Sequence, residues 1–289
     1  MTICTRIFRG VVRLLAWPLL LLQLLLLGAV SMGFSALALL LYPLLSRQHG
    51  RRIGRAMASV GYRCFWFVTR CSGMLRLQAD ALDVLRNERG VMLVANHPSM
   101  LDAPMLVARL PRCACIMKAG LMRNPLLGPG ARLARYIRND SPRTMVRLAV
   151  DELRDGGQLL LFPEGTRTTH PPVDAFGPAF TLIAQRAAVP IQTIFIDTDS
   201  PYLGKGWPLW RLPPLPIVFN VRLGRRFVPR PHERHEGLQR EIHAYMRAGL
   251  RHRATPASAQ DVQEAQEAQE VQEVQEVQES RRAPHRMLP

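Results

Sequence analysis

The sequence predicts an α/β fold in which a mostly parallel sheet is covered by helices on both faces, with an N-terminal membrane-embedded helical segment. Two patterns support this prediction. Apolar runs of strand length alternate with amphipathic stretches of helix length through residues 73–255, which is typical of parallel strands joined by helices. Residues 14–45 carry no charged side chain, which is typical of a segment within a bilayer. We therefore expect an anchor with an amphipathic helix at 1–72, an α/β domain at 73–255 and a tail at 256–289.

The uncharged N-terminal segment is too long for one upright span. Its 32 residues would form a helix of about 48 Å, whereas the hydrocarbon core is about 30 Å thick. It must tilt or break, and its break points would be Pro18, Gly28, Gly33 and Pro43. Arginines flank both ends, which favours two cytoplasmic ends. A bent or re-entrant pair of helices is the favoured arrangement, and a single tilted span is the alternative.

The chain is strongly basic, with a net charge of +16. Residues 261–289 hold seven acidic and three basic side chains, so residues 1–260 carry +20. This balance indicates an anionic partner: a membrane surface, an acidic carrier protein, a phosphate-bearing substrate or nucleic acid. The membrane segment argues against nucleic acid. The five cysteines include no Cys-x-x-Cys pair, which predicts no zinc site and no disulfide framework and favours a cytoplasmic location. We expect a bacterial inner membrane with the α/β domain in the cytoplasm.

Hydrophobic patterning places the individual elements. Strands are expected at residues 74–79, 91–95, 113–118, 135–138, 158–162, 191–196 and 217–223. Helices are expected at residues 51–69, 81–87, 103–109, 142–155, 176–187 and 237–252.

The strand at residues 91–95 leads into the first candidate site. The turn that follows places His97 at a strand-to-helix corner, where open α/β sheets carry their chemistry. The same turn can bring the Asp102 carboxylate to one ring nitrogen of His97. Such a contact fixes the tautomer and makes the other nitrogen a general base near neutral pH. A buried or helix-capping histidine is the alternative interpretation.

A second polar segment, Phe162-Pro163-Glu164-Gly165-Thr166-Arg167, follows another apolar run about 65 residues later. The pair His-x4-Asp and Phe-Pro-Glu-Gly-Thr-Arg, in this order, resembles the lysophospholipid and glycerolphosphate acyltransferase family. The run at 189–196 is similar to the family's fourth block, and 117–128 to the stretch between its first and third blocks. The resemblance covers residues 74–230.

The resemblance implies a membrane-bound O-acyltransferase that moves a fatty acyl group from a thioester to the hydroxyl of a lysophospholipid such as 1-acylglycerol-3-phosphate. His97 and Asp102 would be catalytic, with His97 taking the hydroxyl proton. Arg167 would bind the acceptor phosphate through its planar fork. The residues expected to bind substrate are Glu164, Gly165, Thr166, Arg167, Lys118 and Arg138. No cofactor or metal is expected, and the donor would be acyl-CoA or acyl carrier protein.

Two features of the sequence limit the mechanism. It contains no Gly-x-Ser-x-Gly, and no cysteine adjoins either block, so a covalent acyl-enzyme is not indicated. Direct attack by the acceptor hydroxyl is the simpler scheme. A thioester hydrolase that uses the same His-Asp pair on water is an alternative.

The chain departs from the family's second block, where an arginine helps to bind the acceptor phosphate. The best match is Tyr136-Ile137-Arg138-Asn139, which puts Asn139 at the arginine position and Arg138 one position early. Because neighbouring side chains on a strand point to opposite faces, Arg138 cannot simply replace it. We therefore expect weaker binding of lysophosphatidic acid than in typical members. An acceptor other than a phosphatidate precursor, in a specialised lipid pathway, is the alternative.

The last part of the chain has a different composition. Residues 262–279 are six copies of Val/Ala-Gln-Glu. A three-residue period drifts around a 3.6-residue helix, so it builds no fixed apolar face. We expect a solvated, low-complexity and disordered tail.

Overall fold

The computed structural model describes residues 3–208, 211–230 and 234–254, with the backbone alone for residues 3–15 and 252–254. Residues 1–247 form one compact unit, and a second unit begins at Ala248. The described part of that second unit is the end of the last helix. The tail expected at 256–289 lies outside the described residues.

Two long helices open the chain, and a seven-stranded sheet with shorter helices follows. The helices are α1 (Ile3–Leu41), α2 (Arg47–Cys71), α3 (Asp102–Arg109), α4 (Ala119–Arg123), α5 (Gly128–Leu133), α6 (Pro142–Arg154), α7 (Ala179–Ala187) and α8 (His235–Ala254), with a 3₁₀ helix at Asp80–Leu85. The strands are β1 (Leu75–Gln78), β2 (Val91–Ala95), β3 (Cys113–Met117), β4 (Ile137–Arg138), β5 (Gln158–Leu161), β6 (Ile191–Asp197) and β7 (Ile217–Phe227).

The sheet has the order β1-β7-β6-β2-β5-β3-β4. Strands β6, β2, β5, β3 and β4 are parallel to one another, whereas β7 runs antiparallel to β6, and β1 runs parallel to β7. The mostly parallel sheet is thus confirmed. The carboxyl ends of the five parallel strands meet at one edge, which we call the carboxyl edge, and β2 is the central strand of the seven-stranded sheet.

Alternate side chains of β2 enter apolar layers on opposite faces of the sheet. Val91, Leu93 and Ala95 belong to a buried cluster that includes side chains of α2 and α3. Met92 and Val94 are equally buried and point to the other face, where α7 contacts β2. All five side chains are apolar because both faces of this strand are covered, as in other parallel sheets. The expected covering of both faces is confirmed.

The predicted strands and longer helices all form, with ends that differ by a few residues. The short helices α4 and α5 were not expected. They contain five and six residues, too few to show a helical period, and glycine and proline interrupt them. The predicted helix at 176–187 begins later, at Ala179, because Pro178 takes the N-cap position.

The N-terminal segment does not bend at most of the positions expected. Helix α1 runs without interruption through Pro18, Gly28 and Gly33, so the prediction of breaks there is wrong. A proline removes one helix hydrogen bond and glycine weakens the helix, but within an apolar segment neither need end it. The chain turns only at residues 42–46, around Pro43.

Helices α1 and α2 then pack antiparallel on the domain. Gln23 Nε2 donates to the Ser72 hydroxyl at 2.7 Å near one end of the pair. Further along, a Cβ on Gly61 would lie only 2.9 Å from Val30 Cγ1, so glycine permits the close approach. Ala16–Leu41 is long and apolar enough to cross a membrane, and only 11% of its most apolar window is buried. Its outer face is a row of exposed leucines, among them Leu22, Leu25, Leu39 and Leu40.

Candidate active site

The carboxyl end of β2 is fastened to its neighbour β6 by a buried side chain. Asn96 Nδ2 donates to the Ile196 carbonyl oxygen at 2.9 Å, and Asn96 Oδ1 accepts from the Ile196 N–H at 2.8 Å. Asn96 is 2% exposed, so both of these polar atoms are satisfied where water is excluded. The chain therefore leaves the sheet at a fixed point, one residue before His97.

His97 and Asp102 form a close pair across the corner between β2 and α3. His97 Nδ1 lies 2.7 Å from Asp102 Oδ2, and the Ser99 N–H donates to the same oxygen at 2.8 Å. The Asp102 side chain is fully buried, whereas that of His97 is 20% exposed. The carboxylate makes Nδ1 the donor nitrogen. Nε2 is then the basic nitrogen, and it bonds to no described residue. The structure brings the two side chains together as their spacing predicts, while their catalytic role stays a prediction.

The environment of Asp102 opposes its charge. Burial raises the pKa of Asp102 to about 6, and the hydrogen bond from His97 acts in the other direction. Asp102 Oδ1 has no hydrogen-bond partner among the described residues. A buried carboxylate with so few donors gains most when the adjacent imidazole becomes positively charged. The pair is therefore suited to accepting a proton on His97.

The segment after β5 holds the backbone of His97 from two sides. The His97 N–H donates to Glu164 Oε1 at 2.9 Å, and the His97 carbonyl oxygen accepts from the Thr168 N–H at 2.8 Å. The Phe162 ring stacks on the imidazole with centroids 4.1 Å apart. The other oxygen of Glu164 accepts from the Asp174 N–H at 2.9 Å. Both carboxylate oxygens of Glu164 thus bind backbone.

Gly165 and Thr166 form the turn of this segment. Gly165 has a φ of +67°, and its N–H donates to the Phe162 carbonyl oxygen at 3.0 Å. A residue with a side chain would be strained in this conformation, so the turn requires glycine. Thr166 is half-buried, and its side chain bonds to none of the residues described. These two residues belong to the segment that contacts His97, and their role in substrate binding stays a prediction.

Arg167 is held by a turn from a distant part of the chain. Its Nη1 donates to the carbonyl oxygens of Leu203 at 2.8 Å and Gly204 at 3.0 Å. The Met100 N–H donates to the same Leu203 oxygen at 3.0 Å, which links Arg167 to the loop between His97 and Asp102. Nε and Nη2 donate to nothing in the described part of the chain. Arg167 therefore presents a two-nitrogen edge of the kind that binds a phosphate.

The turn at residues 202–204 was missed by sequence reasoning. Leu203 has a left-handed φ of +58°, and the carbonyl oxygen of buried Tyr202 accepts from the Ser99 hydroxyl at 3.0 Å. The contacts of this turn to the site use backbone carbonyls. Since every residue has one, the sequence carries no pattern that marks the role.

Lys118 and Arg138 lie away from His97. Lys118 directly follows β3, and Arg138 is the last residue of β4. Strand β5 separates these two strands from β2 in the sheet. Lys118 is exposed, and Arg138 pairs with Asp140 at 3.5 Å on the surface. Asn139 Oδ1 accepts from the Ala119 N–H at 3.2 Å, so it supports the start of α4. None of these residues contacts the His97–Asp102 pair directly.

The arrangement can remove a proton from a hydroxyl and hold an anionic group nearby. In such a reaction His97 Nε2 would be the base, and the guanidinium of Arg167 would be the cationic group. Within the ranges that the structure describes, no three His, Cys, Asp or Glu side chains are grouped so as to hold a metal ion.

A protein-family model described as Acyltransferase matches residues 76–197, a range that contains both the His97–Asp102 corner and the segment at 162–168. This part of the chain is similar to the acyltransferase family. The resemblance inferred from the two sequence blocks is thus confirmed.

Two curated relatives of this chain have names that state a reaction. It is 29% identical over 156 residues to a lyso-ornithine lipid O-acyltransferase of Pseudomonas aeruginosa, covering 48% of this chain and 58% of that protein. It is 28% identical over 167 residues to human 1-acyl-sn-glycerol-3-phosphate acyltransferase beta, covering 54% of this chain and 58% of that protein. The match thus spans just under three fifths of each relative's length.

The fold of this chain also has a match among solved structures. The 1-acyl-sn-glycerophosphate (LPA) acyltransferase PlsC from Thermotoga maritima superposes with a TM-score of 0.62 at 18% identity, covering 85% of this chain and 99% of that chain. At this identity the likeness shows a shared fold.

Proposed function

We propose that this protein is a membrane-bound O-acyltransferase that moves a fatty acyl group from a thioester to the hydroxyl of a lysophospholipid such as 1-acylglycerol-3-phosphate. The observation that carries the proposal is the contact of 2.7 Å between His97 Nδ1 and buried Asp102, with Nε2 left unbonded by the described residues. Both curated relatives are named as acyltransferases of lysolipid acceptors, which supports the reaction class.

The proposed reaction takes place at the carbonyl carbon of the thioester, without an acyl-enzyme. His97 Nε2 takes the proton from the acceptor hydroxyl while the hydroxyl oxygen bonds to the thioester carbonyl carbon. Asp102 stabilises the imidazolium. The carbon–sulfur bond then breaks, and the leaving thiolate receives the proton from His97, which regenerates the neutral base. Arg167 binds the anionic headgroup of the acceptor through Nε and Nη2.

The donor in this proposal is acyl-CoA or acyl carrier protein, and no cofactor takes part. Both donors are anionic, and the chain is basic, with a net charge of +16. Lys118 and Arg138 are exposed at the carboxyl ends of β3 and β4, where they can attract either donor or the acceptor.

Membrane attachment in this proposal uses α1 and α2. The exposed leucines of α1 form one apolar surface, and α2 adds exposed Phe67 and Val68. Apolar side chains in such number favour burial in lipid. The proposed location is a bacterial inner membrane, with the sheet on the cytoplasmic side.

A substitution at His97 tests the proposed chemistry, with a second histidine as a matched control. His97→Ala should lower acyl transfer by about 10²-fold or more, since the general base acts in the transition state. His170 also pairs with an aspartate, Asp174, at 3.0 Å, but its side chain is 89% exposed. His170→Ala should therefore retain activity near the wild-type level. Equal activity of the two variants would rule out His97 as the base.

A second acceptor class is favoured by Asn139. A neutral amide at this position provides no charge for a phosphate, and its oxygen bonds to the Ala119 N–H at 3.2 Å. One relative is named for a lyso-ornithine lipid. The second proposal is that the acceptor is a hydroxylated lysolipid other than lysophosphatidic acid. Mass spectrometry of products formed from a mixture of acceptors tests it, and exclusive use of lysophosphatidic acid would contradict it.

A further inference from the structure

We propose that Glu164 is a positioning residue that fixes the backbone of His97, and that it does not bind the acceptor; this inference rests on the proposed function. The two carboxylate oxygens divide their bonds between two backbone donors. Glu164 Oε1 accepts from the His97 N–H at 2.9 Å, and Glu164 Oε2 accepts from the Asp174 N–H at 2.9 Å. The side chain therefore joins the catalytic corner to the loop that follows residue 168.

Three contacts from one segment act on His97 together. The Thr168 N–H donates to the His97 carbonyl oxygen at 2.8 Å, so both polar groups of the His97 backbone bond to residues 164–168. The Phe162 ring covers one face of the imidazole, with the two planes inclined by 18°. The backbone position and the plane of the ring are thus set from the same segment. Loss of the Glu164 bond would allow the peptide between Asn96 and His97 to rotate.

A role in substrate binding would need an acceptor hydroxyl to share a carboxylate oxygen with the backbone N–H that it already binds, or to displace that N–H. Hydrogen bonds from N–H groups to a carboxylate are among the stronger ones in proteins, and a buried N–H left without an acceptor is unfavourable. A carboxylate would also repel the anionic headgroup that Arg167 is suited to bind. Both considerations favour a positioning role over contact with the acceptor.

Neither conservative variant of Glu164 can keep both backbone hydrogen bonds. Glutamine has one carbonyl oxygen, so Glu164→Gln can accept from only one of the two N–H groups. Glu164→Asp keeps the charge but shortens the side chain by one methylene, so it cannot reach both donors at once. Both variants should therefore transfer acyl groups more slowly than the wild type.

The division between kcat and KM distinguishes positioning from binding. Steady-state kinetics would use the full-length protein in mixed micelles with palmitoyl-CoA and 1-oleoyl-lysophosphatidic acid. Misplacing a catalytic group by about 1 Å costs up to about 10²-fold. Glu164→Gln should lower kcat by about 10- to 100-fold and leave KM for the acceptor within about twofold. Arg167→Ala should raise that KM. A Glu164→Gln variant with a raised KM and an unchanged kcat would overturn the proposal.

Hydrogen exchange provides a readout that does not need activity. In Glu164→Ala, the amide of His97 should exchange faster than in the wild type, while amides of β2 and β5 keep their protection. Unchanged exchange at His97 would contradict the positioning role, and loss of protection throughout the sheet would show a general effect on folding and would also contradict it. If the wild-type protein transfers no acyl group to any lysolipid, the proposed function fails, and the exchange experiment still tests the contact.

Discussion

Asp102 combines complete burial with a negative charge that the proposed chemistry requires. Its exposure is zero, and its two hydrogen bonds, from His97 and from the Ser99 N–H, reach the same oxygen. Burial raises its pKa from 3.8 to about 6. The folded state therefore holds this proton up to a higher pH than the unfolded state does.

The raised pKa predicts that Asp102→Asn stabilises the protein while it abolishes activity. Between pH 3.8 and about 6 the folded wild type binds more protons than the unfolded chain, so its stability falls as pH rises through this range and then stays level. Removing the charge should raise the free energy of unfolding at pH 7 by about 1–3 kcal/mol. Thermal unfolding of wild type and variant from pH 4 to pH 8 measures this difference.

The difference in the free energy of unfolding between wild type and Asp102→Asn should shrink below pH 6 and be smallest near pH 4. A variant that is less stable than wild type at pH 7, or a difference that does not depend on pH, would contradict the account of Asp102. Activity should fall in the variant at every pH, because an amide does not stabilise the imidazolium.

Asn139→Arg should improve the use of a phosphate-bearing acceptor. A charge-assisted bond to phosphate contributes about 1.5–3 kcal/mol, or about ten- to hundredfold in affinity. The apparent KM for lysophosphatidic acid should therefore decrease. Asn139→Ala is the control, because it removes the bond of Asn139 Oδ1 to the Ala119 N–H without adding charge. If the wild type already has a low micromolar KM that Asn139→Arg does not improve, Arg138 reaches the phosphate.

Individual residues of the site were predictable where a side chain itself carries the chemistry. The spacing of His97 and Asp102 was enough to predict their contact, because five residues of strand-to-helix turn leave little freedom. The bond of Glu164 to the His97 N–H was not predictable. It depends on how the loops after β2 and β5 meet, and the pairing of those strands is a long-range property.

At the scale of elements, the proposed membrane attachment depends on how α1 and α2 pack together. Gln23 of α1 bonds to Ser72 at the end of α2, and Val30 packs against Gly61 near its middle. The two helices therefore lie side by side over much of their length. If α1 crossed the bilayer, α2 would be carried with it, together with exposed Arg52, Arg63 and Arg70. Each arginine at the bilayer centre costs about 2.5–3.5 kcal/mol or more.

This pairing predicts that both ends of α1 face the cytoplasm. Reporter domains fused at residue 5 and at residue 50 should show the same compartment. Fractionation should also find the protein with membranes, and deletion of residues 14–45 should release it. Reporters in opposite compartments would establish a single span and would contradict the inference from the packing of α1 on α2.

The length of α1 shows that sequence patterns alone do not determine where a helix breaks. The apolar run and its flanking arginines predict a membrane segment, and its proline and glycine residues predict breaks in the helix. Those residues weaken a helix locally, but their effect depends on what surrounds the helix. The turn comes after α1, at residues 42–46, where the chain reverses to begin α2.

At the scale of the whole molecule, the order of the strands is what makes one site from distant segments. β2 lies between β6 and β5, so the loops after β2 and β5 both reach the carboxyl edge beside each other. The alternation of strands and helices predicted a mostly parallel sheet, and the structure confirms it. The strand order itself could not be read from the sequence, because apolar strands buried on both faces look alike.

The repeat tail is predicted to contribute little to the catalytic unit. Residues 262–279 have no apolar face to bury, so removing residues 262–289 should leave acyl transfer and the melting temperature nearly unchanged. Comparison of the truncated and full-length proteins in the same micelles measures both. A clear loss of activity after truncation would show that the tail binds a partner or the catalytic domain.

The fate of one labelled acyl chain shows whether the protein transfers the chain to a lysophospholipid or hydrolyses the thioester. The purified wild type would receive a limiting amount of radiolabelled palmitoyl thioester, with and without a lysophospholipid acceptor, and the label would be measured in diacyl lipid and in free fatty acid. With the acceptor present, most of the label should appear in diacyl lipid, and both this product and its rate should be lost in His97→Ala. Release of the label as free fatty acid at the same rate with or without acceptor would instead identify a thioester hydrolase and contradict the account.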